Sequence, residues 1–479
     1  MNLRHKVISG VSWTAVSNIL RQILQVISLV IYARYLSADD FGLFAIIMIF
    51  ITFSSLFSNM GTSSAIVNID NTSKRMLSSV FFLNIFIGII IYVILIVSST
   101  FVSDFFNKIE LVNLLNIMAI NFIIISFSIV QRALLEKELE FKKLSMIETV
   151  SIYIAVAVGI TFAMNGFGVY SLLIQTITNS ISVTMLLWIF SRWRPSFIFS
   201  FYEIRKILSF TTNLTSFNII NYFARNADQI LIGKFLSSSS LGIYSLAYKI
   251  MLYPIQNISA TITRVLFPAF SKIQHDNKRF KEAYLHVIFF ISLVTFPLMM
   301  GLVVLSDLFV SVLFGEKWQQ MAVILMILAP IGMIQSIVTT IGTIFLAKAN
   351  TSLLLKIGTI NSIITIISFI VGLPFGIEGV AMSYFFANLI MLYPNLYFAW
   401  KQINLNIKEG ILKIFPVFLI SFMMSILVFI SKNFLELFIL NKLLLFIILI
   451  CVGILIYAVF LKIYYKNLSE IFKKLRNRT

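Results

Sequence analysis

The sequence predicts an all-α polytopic membrane protein of about fourteen transmembrane helices, with two six-helix lobes in a pseudo-two-fold repeat and two further C-terminal helices. Three observations carry this reading. Of the 479 residues, 59% are hydrophobic and only 12% are charged, against about 45–50% and about 25% in soluble domains. Apolar segments of the length that crosses hydrocarbon, about 20 residues, succeed one another along the whole chain. A motif in the first loop returns 200 residues later. A soluble protein this apolar could not cover its surface with polar groups. Water-soluble enzymes, disordered chains and fibres are therefore excluded.

The first lobe, 1–200, holds six predicted spans near 11–33, 41–60, 78–100, 111–131, 145–165 and 168–190. The second, 201–402, holds six more near 207–232, 241–265, 285–306, 320–345, 354–374 and 378–400. The remainder, 403–479, holds spans near 411–431 and 443–464 and a basic tail. The loops are short. The first apolar stretch carries Arg21 and runs on to about Tyr35, too long for the core of a cleavable signal peptide.

An even number of spans puts both termini on one side, and the cations say which. With a cytoplasmic N-terminus, cytoplasmic segments and adjoining span ends hold 27 of the 37 lysines and arginines. The opposite side holds six: Arg34, Lys108, Lys234, Lys317, Lys432 and Lys442. Acids divide almost evenly, so the bias belongs to the cations, as the positive-inside rule requires. The net charge of +18 is explained in this way and not by nucleic acid. Trp13, Trp188, Trp193, Trp318 and Trp400 fall at or just beyond span ends, which predicts an interfacial belt.

The repeat is visible in Arg34-Tyr35-Leu36-Ser37 through Phe41-Gly42-Leu43-Phe44, which returns as Lys234-Phe235-Leu236-Ser237 through Leu241-Gly242-Ile243-Tyr244. It continues, after a drift of about eleven residues, in Leu135/Leu346, Lys137/Lys348 and Gly168/Gly379. Six is even, so both copies enter the membrane in one direction and the pseudo-axis follows the membrane normal. Two such lobes are expected to enclose a cleft. Pro254, Pro297, Pro330, Pro394 and Pro416 lie inside later spans, where proline kinks a helix; bent packing and gating are both open readings.

Four cations and two acids remain within spans: Arg21, Arg225, Lys249, Arg264, Glu148 and Asp228. A charge at mid-membrane costs about 2.5–3.5 kcal/mol even on insertion scales, so each should face water or a partner. In the first span Thr14, Asn18, Arg21, Gln25 and Ser28 form one polar stripe at helical spacing. The seventh span repeats it with Asn218, Asn221, Arg225 and Asp228. Arg21 has no acid within a helical turn. Its partner is either on another helix, such as a carbonyl or Glu148, or a phosphate in the cleft, which suits a planar guanidinium. Arg225 can pair with Asp228 at i+3, and Asp228 can alternatively bind a proton or sodium. Lys249 is a cavity candidate. Arg264 can snorkel at a span end, and Glu148 can reach the interface.

No catalytic constellation and no phosphate loop appears. The single Cys451 and the scattered His5, His275 and His286 predict no disulfide, metal or cofactor.

The runs Arg34–Ser37 and Phe41–Phe44, Asp228–Leu236 into Leu241–Tyr244, Leu134–Phe141, Gly166–Leu172 and Val265–Ala269 resemble the Wzx-type polysaccharide flippases of the multidrug/oligosaccharidyl-lipid/polysaccharide exporter superfamily. The resemblance covers nearly the whole chain and is a sum of weak motifs. It implies a transporter, not an enzyme, in the bacterial inner membrane, moving undecaprenyl-diphosphate-linked oligosaccharide from the cytoplasmic to the periplasmic leaflet by alternating access. The product would be O-antigen, capsule or exopolysaccharide. It implies a cationic cavity, for which Arg21, Arg225 and Lys249 have the right character. The two stripes themselves offer Asn18, Gln25, Ser28, Asn218 and Asn221 as its lining, and the intramembrane acids Asp228 and Glu148 are the candidates for ion coupling. Expected partners are that substrate, membrane lipids and polysaccharide polymerase machinery around a monomer, with no nucleic acid. The alternatives are a multidrug exporter, a lipid II flippase and a membrane polysaccharide polymerase.

Overall fold

The computed structural model describes residues 3–58, 61–69, 72–202, 204, 212–259, 262, 266 and 269–464, with side chains described throughout except at 3–12, 15, 212–221, 223 and 224. Among these residues every regular element is helical. Arg205, Lys206, Arg264, most of Val265–Ala269 and the tail cations from Lys466 onward lie outside the described residues. The chain folds as two compact units, Met1–Gly242 and Ile243–Thr479.

The first unit contains α1 (Leu3–Tyr35), α2 (Ala38–Ser58), α3 (Thr62–Asn68), α4 (Lys74–Phe106), α5 (Glu110–Ser126), α6 (Ile129–Lys137), α7 (Phe141–Met164), α8 (Val169–Phe190) and α9 (Thr212–Phe235). Helix α10 (Ser238–Pro254) begins in it and continues into the second unit as a π turn, Ile255–Ser259. There follow α11 (Asn277–Leu313), α12 (Gln319–Ala347), α13 (Thr351–Gly372), α14 (Gly376–Lys401), α15 (Ile407–Leu435) and α16 (Lys442–Tyr464). Among the described residues ten helical stretches are long and apolar enough to cross a membrane, and the bent pair α5–α6 makes eleven. Helix α10 is only 17 residues long, and α9 carries Arg225, Asp228 and Lys234. Pro254, Pro297, Pro330, Pro394 and Pro416 all sit inside helices.

The fourth predicted span is not one straight helix. It breaks at Phe127–Ser128, and α6 leaves α5 at 44°. The hydroxyls of Ser126 and Ser128 donate to the carbonyls of Ile123 and Ile125, at 2.7 and 2.8 Å. Such back-bonding competes with the helical ladder and bends it.

The repeated motif has a physical explanation. Ser37 caps α2, its hydroxyl accepting from the Asp40 N–H at 3.1 Å; Ser237 caps α10 in the same way, from the Ser240 N–H at 3.0 Å. The two helix starts then cross at backbone contact. A Cβ added to Gly42 would lie 1.7 Å from the Ser238 carbonyl oxygen, and one added to Gly242 would lie 1.9 Å from that of Ala38. Each copy of the glycine therefore receives the other copy's helix start. Asp39 accepts from the Ser238 hydroxyl and lies 3.6 Å from Lys108. Asp40 reaches across to accept from the Val169 N–H at 2.9 Å.

The second repeat match also has a structural counterpart, with a slip of one residue. Leu139 and Ala349, both at φ 56, end α6 and α12 in the same motif: Glu140 N–H donates to Leu135 and Asn350 N–H to Phe345, each at 2.9 Å. The equivalent of Lys137 on that register is Ala347, yet Lys137 and Lys348 do the same work. Lys137 donates to the Ile69 carbonyl and the Thr72 hydroxyl; Lys348 donates to the Gln274 carbonyl and to Asn277. Each grips the turn before a long helix, α4 or α11. Burial pushes the Lys348 ammonium below its ordinary value. The pairing Gly168/Gly379 is corrected to Gly168/Gly376, since these two take positive φ, 51 and 73, at a helix start. Gly379 lies inside α14, where a Cβ would lie 2.4 Å from the Gly372 oxygen.

In the second unit α11 packs on α12 and α15, α13 on α14, and α16 on α15. Two of the five tryptophans expected in an interfacial belt are instead enclosed by protein. Trp318 and Trp400 are buried at 1% and 0% exposure, Trp400 donating to the Tyr284 hydroxyl at 3.3 Å and lying against Gly410. These two rings close helix ends from within instead of facing the interface. Lys432, counted above on the side opposite the cytoplasm, is buried in α15 and pairs with Asp307 of α11 at 2.5 Å.

A methyl group at either crossing glycine must push backbone apart, at about 1–3 kcal/mol. Gly42→Ala and Gly242→Ala are expected to lower the thermal unfolding temperature of the purified protein. Gly301→Ala, whose Cβ would meet nothing within 4 Å, is expected to leave it unchanged or raise it. Wild-type stability in Gly42→Ala would contradict the crossing.

Candidate functional site

The polar stripe of α1 runs along α7, which lies parallel to it. Ser145 donates to the Thr14 hydroxyl at 3.1 Å, Arg21 meets Glu148, and the Tyr32 hydroxyl lies against Gly159, where a Cβ would stand 2.0 Å away. Of the partners open to Arg21, the structure shows Glu148. Its Nη1 pairs with Glu148 Oε2, and its Nη2 donates to Asn18 Oδ1.

Glu148 holds a second guanidinium that the sequence reading missed. Its Oε1 accepts from Arg132 Nη2, and Arg132 Nε donates to Glu136 Oε1 at 3.1 Å. The bend before α6 puts Arg132 in reach. Two arginines and two carboxylates thus form a chain, Arg21–Glu148–Arg132–Glu136, of no net formal charge. The inner pair is the more enclosed: the side chains of Arg21 and Glu148 are 17% and 23% exposed, that of Arg132 47%. The i, i+4 spacing of Arg132 and Glu136 was legible in the sequence; the bend was not.

The rest of the stripe divides. Ser28 is buried and donates to the Gln25 carbonyl at 2.9 Å, while Asn18 and Gln25 are exposed. On α9, Arg225 is exposed. Asp228 is 1% exposed, its Oδ1 accepting from the Gln229 N–H at 2.8 Å. The side chains of Asn218 and Asn221 lie outside the described residues. Lys249 is exposed on α10, beside Tyr248, whose ring stacks on Tyr244 at 6.0 Å. The second unit has an amide seam as well: Asn361 and Asn395 exchange hydrogen bonds at 2.8 and 3.2 Å, and Gln335 donates to the Tyr384 hydroxyl at 2.5 Å. Among the described residues no group of three His, Cys, Asp or Glu could hold a metal.

This fold is shared with known transporters. The structure of lipid II flippase MurJ in an inward closed conformation superimposes with a TM-score of 0.76 over 95% of this chain and 99% of that one, at 21% identity. An inward-facing multidrug resistance MATE family transporter gives a TM-score of 0.64 over 80% and 94%, at 16% identity. The chain has the all-helical fold of these two transporters. The family model described as "Polysaccharide biosynthesis protein" matches residues 31–323, and the chain belongs to that family. The teichuronic acid biosynthesis protein TuaB of Bacillus subtilis (strain 168) is 31% identical over 74% of this chain and 73% of its own. The lipopolysaccharide biosynthesis protein WzxC of Escherichia coli (strain K12) is 28% identical over 89% of each.

The cluster predicts an order of stabilities. Removing one partner of a paired charge leaves the other uncompensated. Glu148→Ala takes the shared carboxylate from two guanidiniums, leaving Arg132 with Glu136 and Arg21 with only the neutral Asn18, whereas Arg21→Ala leaves Glu148 with Arg132. Glu148→Ala is therefore expected to lower the unfolding temperature more than Arg21→Ala; the reverse order would show that Glu148 does not hold both arginines.

Proposed function

We propose that this protein flips an undecaprenyl-diphosphate-linked oligosaccharide from the cytoplasmic to the periplasmic leaflet of a bacterial inner membrane, for surface polysaccharide assembly. Family membership carries this reading: the match to polysaccharide biosynthesis proteins spans residues 31–323. Relatives named for teichuronic acid and lipopolysaccharide biosynthesis accompany it. We assign the chain fourteen spans, both termini on the cytoplasmic side, two six-span repeats and a monomeric state working beside a polymerase. Helices α9 and α10 then cross the membrane despite their polarity or shortness, because their polar residues face the transport path.

The chemistry fits an anionic headgroup. A diphosphate needs guanidinium or ammonium donors along its path, and Arg21, Arg225 and Lys249 are those we assign, with Asn18, Gln25, Ser28, Asn218 and Asn221 as neutral polar companions for it and the sugar. Asp228, buried in α9, and Glu148 are the carboxylates available to a coupling ion. A carrier of cationic drugs would need acids in excess, and the spans predicted from the sequence hold four cations against two acids.

The test is transport in liposomes. Purified protein is given undecaprenyl-diphosphate oligosaccharide in one leaflet and, separately, a cationic dye. Sugar lipid is expected to cross faster than in protein-free liposomes, and the dye not to move. Arg225→Gln and Lys249→Gln should each slow the sugar lipid about tenfold, the scale of one charge-assisted hydrogen bond. In cells Arg21→Ala should abolish surface polymer with the protein still inserted. Dye export without sugar movement would discard the reading.

A further inference from the structure

Glu148 is a carboxylate with a guanidinium on each oxygen, Arg21 from α1 on Oε2 and Arg132 from α6 on Oε1. Two arginines converging on one anionic group is the arrangement that receives phosphate, since each guanidinium offers a planar fork of donors. Here the anionic group belongs to the protein. We propose that Arg21 and Arg132 form the loading site for the substrate's diphosphate, that Glu148 fills this site while the carrier is empty, and that the diphosphate enters by displacing the Glu148 carboxylate. The identity of the ligand rests on the flippase reading above; the exchange itself rests on this geometry.

Three features favour exchange over a permanent brace. The Arg132 side chain is 47% exposed and that of Glu148 23%, so an anion reaches the pair without unfolding a helix. Arg132 has a second carboxylate, Glu136, at 3.1 Å, which holds its guanidinium in place when Glu148 leaves. Arg21 likewise keeps Asn18 as an acceptor. A diphosphate carries more charge and more acceptor oxygens than a carboxylate, so each phosphate can engage one arginine fully. The location fits loading as well. Arg132 lies on α6, which ends at Lys137, on the side that the cation bias assigns to the cytoplasm.

The experiment is isothermal titration of the full-length protein in detergent with farnesyl diphosphate, a soluble prenyl diphosphate, using farnesol as the tail-only control. Glu148→Gln removes the competing charge and keeps the side-chain shape. It is expected to bind farnesyl diphosphate about tenfold tighter than wild type, and Arg132→Gln about tenfold weaker. The double variant Glu148→Gln/Arg132→Gln should lose the gain. A general field effect of the lost negative charge would keep it. Glu148→Asp, which retains the charge but retracts from one arginine, provides a second route if Glu148→Gln fails to fold, and should also bind tighter than wild type. Unchanged or weaker binding in a folded Glu148 variant overturns the exchange, as does a gain that survives in the double variant. Sugar flipping in liposomes is scored separately. If it proceeds while the affinities ignore Glu148 and Arg132, the exchange fails and the flippase stands. If flipping is absent while the affinities shift as expected, the anion site stands and its substrate is not a sugar lipid.

Discussion

A charge that enters hydrocarbon must find a counter-charge or water, and the first unit is arranged around one case of this demand. Arg21 cannot satisfy it within α1, so α1 lies parallel to α7 with Arg21 against Glu148. Two other contacts share that register, the hydroxyl pair Thr14–Ser145 nearer the N-terminus and the close approach of Tyr32 to Gly159 nearer the other end. The ion pair thus sets the register of the contact between α1 and α7, while exposed Ile19, Leu20, Ile23, Val26 and Ile27 leave the rest of α1 compatible with lipid.

The second constraint is closeness of backbones. Apolar attraction does not hold helices together in lipid, which is as apolar as leucine, so small residues at crossings matter. Gly42 and Gly242 meet the opposing helix start at distances no side chain allows, and the flanking Ser37 and Ser237 satisfy the N–H groups that a helix start leaves open. The same economy recurs where Lys137 and Lys348 bind the turns before α4 and α11. These pairs explain why the repeat survives in fragments. It persists where a backbone position allows few residues and is erased along the lipid-facing runs, where any apolar residue serves.

Legibility in the sequence follows from the range of the physics involved. Span positions depend on local hydropathy, and among the described residues the predicted spans fall on helices, the fourth on the bent pair α5–α6. Contacts between distant residues are another matter. Glu148 was named as one partner for Arg21, but 127 residues separate them, and nothing local selects it over a carbonyl. The reach of Arg132 to Glu148 was not legible, because the break at Phe127–Ser128 has neither proline nor glycine to mark it. Trp318 and Trp400 fall at helix ends, as interfacial residues do, yet packing against Gly410 and Tyr284 decides the burial of Trp400. Gly376 was passed over for Gly379 because spacing does not reveal which glycine has positive φ.

The neutral cluster also bears on how a carrier of anions can return empty. A guanidinium left bare at mid-membrane would cost about 2.5–3.5 kcal/mol on the lenient scale, a barrier against any conformation that withdraws it from water. In the exchange proposed above, a carboxylate on the protein removes that barrier, because it takes the diphosphate's place as the substrate departs. Loaded and empty states then both carry satisfied arginines. Binding energy for the headgroup becomes the difference between diphosphate and carboxylate, not the full attraction of two cations for an anion. Such a difference allows release. An uncompensated pair of arginines would hold a diphosphate too tightly to deliver it, and the exposed Arg132 beside the more enclosed Arg21 and Glu148 gives the exchange a direction of entry.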